Sequence, residues 1–312
     1  MAAVGEEEDG MMFCASCGIA GGDDDITLKK CNCKLVRYCS VKCQRDHRPK
    51  HKQECKKRVA ELRDELLFKR PESSHLGDCP ICMLPMPLAA NESTAYNCCS
   101  TFVCNGCELA QNISRGYSRG RASSNEVCPF CREAVPETKE EWDKQRMKRV
   151  DANDPFAMRQ EGRKQEDAGD YRSALKYFLT AADLGDAEAH YRLADFYCKG
   201  NGVEKNMGKV MYHIEAASII GHPHARHFLA CLEERSGNTD AAVKHWVIAA
   251  AQGQVLSMKV LKDEFRKGIV SKDDLATALR AHHAAVNAMK SPQRDMAADY
   301  CQFQKDQKEE EM

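Results

Sequence analysis

Fifteen of the 18 cysteines lie before residue 132, in two clusters of closely spaced pairs. The first cluster, with one histidine, reads Cys14, Cys17, Cys31, Cys33, Cys39, Cys43, His51 and Cys55. The second reads Cys79, Cys82, Cys98, Cys99, Cys104, Cys107, Cys128 and Cys131. Each cluster supplies eight donors, enough for two tetrahedral ions. Thiolates at C-x2-C spacing converge on one ion, and zinc is the usual occupant, so four Zn²⁺ are expected. Disulfides are the alternative in small secreted chains. The acidic start MAAVGEEEDG has no charged-then-apolar export signal, so the spacing reads as metal binding in a reducing compartment, cytoplasm or nucleus. All eight cysteines of the second cluster are assigned to metal, so none is left as a nucleophile and no catalytic residue is assigned.

A segment of about 45 residues is near the size at which a metal must replace an apolar core. Structural zinc supplies about 10–16 kcal/mol of apparent binding free energy in small finger peptides, and this becomes folding free energy. Helices separate and follow the clusters. In VAELRDELLFKR (59–70), Val59, Leu62, Leu66 and Leu67 fall near one face, and Pro71 stops the run. Thr138 and Glu141 form a capping-box pattern before a polar helix that ends ahead of Pro155. The expected order is a disordered acidic leader (1–13), a first zinc module (14–55), a helical linker (56–71), a second zinc module (72–136), a linker helix (137–153), helical repeats (154–290) and a polar tail (291–312), whose end QKDQKEEEM (304–312) reads as solvated and disordered.

From about residue 154 the chain is alanine-rich and repeats itself. Gly185, Gly221 and Gly253 align at intervals of 36 and 32 residues. In the same register Ala157, Ala189 and Ala225 coincide, as do Leu193, Leu229 and Leu261, and Phe178, Ile214 and Trp246. Small residues let paired helices approach, large ones fill the space beyond, and the glycines end the second helix of each pair. Self-similarity at this period predicts stacked helix pairs. The segment 271–290 reads as a closing helix capped by Ser271 and Asp274.

The first cluster resembles a MYND zinc finger. Tyr38-Cys39, Cys43, His51 and Cys55 stand at the family spacing Y-C-x3-C-x7-H-x3-C. The second pair departs from the pattern: it is C-x-C (Cys31-Asn32-Cys33) where C-x2-C is usual, and the displaced ligand is Cys31. The resemblance implies interleaved sites, Cys14, Cys17, Cys39 and Cys43 on one ion and Cys31, Cys33, His51 and Cys55 on the other. His47 is the rival histidine. It also implies that short proline-rich peptides on partner proteins are bound. The second cluster resembles an all-cysteine RING domain, which implies Cys79, Cys82, Cys104 and Cys107 on one ion and Cys98, Cys99, Cys128 and Cys131 on the other. Adjacent Cys98 and Cys99 depart from the family spacing, and an alternative uses one of them with His75. Ile81, Pro129 and Arg132 occupy the places at which ubiquitin-ligase RING domains contact a conjugating enzyme. The repeats look like Sel-type repeats, relatives of the tetratricopeptide family, which bind peptides or proteins.

The fold class is therefore multidomain: two small zinc-stabilised modules, MYND-like and RING-like cross-brace, followed by an all-α helical-repeat solenoid. The function expected from these resemblances is a zinc-binding protein-interaction adaptor of the RING-type ubiquitin ligase kind, with a non-catalytic scaffold as the alternative. Residues 29–58 hold twelve Lys or Arg against two acidic residues. A nucleic-acid reading rests on that stretch alone, without a recognition-helix finger pattern or stacking aromatics. The formal net charge of −1 points to no polyanion, and no apolar run approaches the ~20 residues of a membrane span. The loop 114–126, with Arg115, Arg119, Arg121 and four serines, reads as mobile and polar. His213, His222, His224, His227, His245, His282 and His283 scatter over different repeats and read as packing or surface residues.

Overall fold

In the computed structural model the described residues are 13–17, 19, 28–114 and 127–310. The leader 1–12 and most of the arginine- and serine-rich loop, 115–126, lie outside them. The chain divides into two compact units, Met1–Lys69 and Arg70–Met312.

In the first unit, β1 (Lys29–Lys30) pairs antiparallel with β2 (Arg37–Tyr38), and α1 spans Val41–Phe68. Ser40 caps α1 by accepting from the Cys43 N–H at 3.2 Å. The sequence predicts a helix only from residue 56; α1 instead begins inside the first cluster and runs through Pro49. The reason is ligand spacing. Cys43, His47, His51 and Cys55 fall four residues apart and share one face. That face packs by its polar ligands, so apolar periodicity misses it.

The second unit opens with the other cysteine module. Strands β3 (Ser93–Tyr96) and β4 (Thr101–Cys104) form an antiparallel hairpin with Cys98 and Cys99 in its turn, and α2 (Asn105–Ser114) follows. Its core is small: Met86 and Val103 are buried with Cys79, Cys104 and Cys107. Helix α3 (Lys139–Asp151) has the expected capping box, with Thr138 and Glu141 bonding each other's backbone N–H.

The repeats follow as helix pairs: α4 (Pro155–Asp167) on α5 (Tyr171–Asp183), α6 (Ala187–Lys199) on α7 (Met207–Ile220), and α8 (Pro223–Arg235) on α9 (Thr239–Ala251). Helices α10 (Val255–Arg266) and α11 (Lys272–Ala288) close against α9. Phe178, Ile214 and Trp246 are fully buried in equivalent places, as are Leu193, Leu229 and Leu261. Gly185, Gly221 and Gly253 take φ of 88°, 100° and 91° after the second helix of each pair, a conformation glycine adopts without the Cβ penalty. The first helices begin at Asp154, Asp186, His222 and Gln254, each accepting a backbone N–H at its own helix start.

The tail expectation is corrected. Pro292–Glu310 forms a helix, α12, which packs on α2. Its composition is polar because little of it is buried: Ala297 is the buried apolar residue, and Met296, Tyr300 and Phe303 stay exposed.

Candidate metal centres

The backbone prepares the ligands before any side chain is considered. Cys79 N–H donates to Leu84 O at 2.9 Å, and Met83 N–H turns back to Cys79 O at 2.8 Å. Cys128 repeats this with Glu133 O at 2.8 Å and Arg132 N–H to Cys128 O at 3.0 Å. Cys14 and Cys31 each donate five residues ahead, to Ile19 O and Val36 O, both at 2.8 Å. Lys34, Met83, Ser100 and Arg132 have φ of 62°, 56°, 56° and 62°. Each follows the second cysteine of its pair, and a non-glycine residue in this region costs about 1–2 kcal/mol. Four tight turns therefore hold unfavourable backbone at the points where paired thiols must converge.

They do converge. Cys14, Cys17, Cys39 and Cys43 form one group whose donor atoms all lie within 4.8 Å of one another. Cys31, Cys33, His51 and Cys55 form a second, Cys79, Cys82, Cys104 and Cys107 a third, and Cys98, Cys99, Cys128 and Cys131 a fourth. Sulfur–sulfur distances are 3.6 Å for Cys17–Cys39, Cys39–Cys43 and Cys31–Cys55, 3.7 Å for Cys99–Cys128 and 3.8 Å for Cys82–Cys104. A tetrahedron with Zn–S bonds of about 2.3 Å has edges of about 3.8 Å; a disulfide would bring the sulfurs to about 2.05 Å. Donor chemistry and spacing both fit zinc, which would be held by these four groups.

The two centres of the first unit share α1. Cys43 belongs to one and His51 with Cys55 to the other, and eight residues of helix separate Cys43 from His51 by about 12 Å along the axis. His51 Nε2 lies 3.0 Å from Cys33 Sγ, while its Nδ1 faces Glu54 at 3.4 Å, a partner that orients the ring. His47 is not in either group. Its Nδ1 meets Tyr38 Oη at 3.0 Å, and its ring stacks on that of His51.

The thiols do not ionise alike. Burial disfavours the Cys14 thiolate, but backbone N–H groups of Cys17, Cys39 and Ser16 outweigh it and bring the thiol down to about 6. Cys79 is likewise buried, yet the N–H groups of Cys82, Cys104 and Ile81 lower it to about 7. Cys39, hydrogen-bonded to Cys17 and Cys43, is pushed up to about 12. Burial pushes Cys98 and Cys107 up as well. A few thiols are thus poised as thiolates beside others that hold protons, and a dication would discharge the remainder.

His75 does not join Cys98 and Cys99. It lies where the second module meets the repeats: its N–H donates to Gly221 O at 3.1 Å, and its ring stacks on His222 with centroids 4.2 Å apart. His222 is also stacked on Tyr191, accepts from Ala225 N–H at 3.1 Å and bonds Glu188 at 2.9 Å. With His222 fully engaged and the two rings nearly parallel, His75, Glu188 and His222 form a docking contact. Ser100 Oγ donates to Asp154 at 2.6 Å and Phe102 meets Phe156 edge-on at 4.6 Å, so the module seats along the helix starts of the repeats. Nothing in the sequence pattern marks these pairs, because neither partner carries information about the other. Of the remaining candidates, Ile81 and Arg132 are exposed on their turns and Pro129 is half-buried. The repeat histidines behave as packing residues: His213 and His245 are buried, and His190 and His213 bond each other at 3.0 Å.

Comparison with known proteins matches residues 14–55 to the MYND finger family. The amino-terminal module is a MYND finger. Its match ends at Cys55, although the helix that carries His51 and Cys55 continues to Phe68. No curated protein matches the chain. Among solved structures, a Sel1 repeat protein from Oxalobacter formigenes is 28% identical over 49% of this chain and 66% of its own, with a TM-score of 0.43. A protective antigen of uropathogenic Escherichia coli displaying an SLR fold is 16% identical over 54% of this chain and 37% of its own, with a TM-score of 0.38. The chain thus spans less than two thirds of either.

Proposed function

We propose that the chain is a zinc-dependent protein-interaction adaptor, in which the MYND finger takes proline-rich peptides and the solenoid offers a second protein-binding surface. The observation that supports this most is the presence, in one chain, of the MYND match at 14–55 and an array of stacked helix pairs, an architecture that presents extended recognition surfaces. An array of proline-rich peptides probed with the full chain tests it. Binding should be lost in Cys39→Ser, which opens one centre of the finger, and kept in Cys301→Ser. Equal binding by both variants, or none by the wild type, refutes peptide recognition by the finger.

A second reading is favoured by the exposure of Ile81 and Arg132 on two cysteine turns of the 79–131 module. In a RING-type module these side chains would orient a conjugating enzyme and its thioester-linked ubiquitin, so that a substrate lysine attacks with little further reorganisation. The chain would then couple the recruited partner to ubiquitin transfer. Autoubiquitination with a panel of conjugating enzymes should give chains with wild type and far fewer with Ile81→Ala and Arg132→Ala. No chains, or equal chains from all three proteins, leaves the adaptor without a transferase role.

A further inference from the structure

Helix α12 begins against the centre formed by Cys79, Cys82, Cys104 and Cys107. Its third residue, Arg294, reaches into the first turn of that centre. One terminal nitrogen, Nη1, donates to Pro85 O at 2.8 Å and Met289 O at 2.6 Å. The other, Nη2, donates to Leu84 O at 3.4 Å and to Cys82 Sγ at 3.5 Å. The same helix start lies on the second turn. A Cβ on Gly106, which sits between Cys104 and Cys107, would come 2.7–2.9 Å from the Gln293–Arg294 backbone. The close approach therefore requires glycine there. Both turns that present the quartet are in this way touched by one helix turn, and the one cation among these contacts points at a ligand sulfur.

Four thiolates around a dication leave a net charge of −2, which an outer cation offsets. Arginine suits the place because its planar fork serves sulfur and carbonyl acceptors together, which lysine does not. We infer that Arg294 is the outer-sphere cation of the Cys79, Cys82, Cys104 and Cys107 centre, and that it couples metal retention there to the seating of α12 on α2. It is a positioning residue, since it touches a ligand and not the ion. Coupling is reciprocal: whatever α12 adds to metal affinity, the metal adds to α12 docking. The inference rests on zinc occupying this quartet.

The test is site-resolved thiol alkylation of the full chain, read by peptide mass spectrometry, with an added cysteine peptide as the standard between variants and exposed Cys301 as the unprotected reference in the wild type. Arg294→Gln should raise the alkylation rates of Cys79, Cys82, Cys104 and Cys107 about 10–100-fold, the usual effect of losing an outer-sphere partner. Rates at the other three quartets should not change. Arg294→Lys should fall between, and Gly106→Ala, which lifts the helix without removing the charge, should mimic Arg294→Gln. In the reverse direction, Cys79→Ser should strip exchange protection from the amides of 293–310, and Cys128→Ser should leave it. Unchanged rates in Arg294→Gln, a uniform rise at all four quartets, or α12 protection indifferent to Cys79→Ser would each overturn the coupling. Should the quartet alkylate in the wild type as fast as Cys301, the zinc assignment itself fails and the coupling with it, a result distinct from a quartet that is protected but unresponsive.

Discussion

At the scale of single residues, two histidines about 6 Å apart along one helix have opposite roles. His51 stands 3.0 Å from Cys33, whereas His47 is turned to Tyr38. His51→Ala should lower the zinc content by one ion per chain and His47→Ala should not; elemental analysis of the two purified variants decides it, and equal losses contradict the assignment. The sequence distinguishes the pair only through the family spacing, which falls on His51. It carries no trace of Arg294, whose partners Cys82, Leu84 and Pro85 are remote in the chain. Glycines separate in the same way. Gly221 has φ of 100° and an added Cβ would lie 3.0 Å from Ser73 O, while Gly237 has φ of 84° and open space. Gly237→Ala should cost about 1–2 kcal/mol from backbone strain alone. Gly221→Ala should cost more, since the docked module must also shift, as denaturant midpoints will show; equal losses would mean that this contact carries no stability.

At the scale of elements, repeats and clusters differ in how far pattern alone defines them. The repeat register is readable because burial recurs at fixed positions: Phe178, Ile214 and Trp246 each fill the same space in successive pairs. The start of α1 and the whole of α12 are not readable in this way. Up to Cys55 the first packs by ligands, ahead of its apolar stretch at 59–67, and the second packs by one alanine and one arginine, so neither of these parts shows an apolar stripe. Neutral histidines serve both the docking of the second module on the repeats, through His75, and the packing of α6 on α7, through His213. Burial and the neighbouring His222 hold His75 down to about 3, against the pull of Glu188, and burial with His190 and Lys209 nearby holds His213 down to about 4. Both titrate near 6.5 when unfolded. Between about pH 6.5 and 4 the unfolded chain therefore binds more protons than the folded one. The part of the stability that rests on these two histidines is complete above pH 6.5 and falls as the pH drops, by at most about 1.4 kcal/mol per pH unit for each histidine. His75→Phe and His213→Phe, which keep a ring, should flatten the pH dependence of the unfolding free energy over that window. Slopes equal to wild type would contradict the linkage.

At the scale of the whole molecule, the two halves of the chain are held by different physics. The repeats bury apolar cores, one cluster around Phe178 and another around Trp246. The cysteine modules bury little beyond the ligands themselves, and they bear backbone strain at Lys34, Met83, Ser100 and Arg132. Chelation should therefore act on one part and spare the other. After treatment with EDTA, hydrogen exchange should accelerate throughout 28–68 and 76–107, while the amides of 172–198 and 240–265 keep their protection. Loss of protection everywhere would show that the repeats depend on the metal too. The most direct measurement is the zinc content of the purified full chain, determined together with its free-thiol count under native conditions. Four ions per chain, with exposed Cys301 open to thiol titration and the fifteen cysteine ligands closed to it, is the predicted result. Two ions or fewer, or free thiols among the sixteen ligands, would contradict the account.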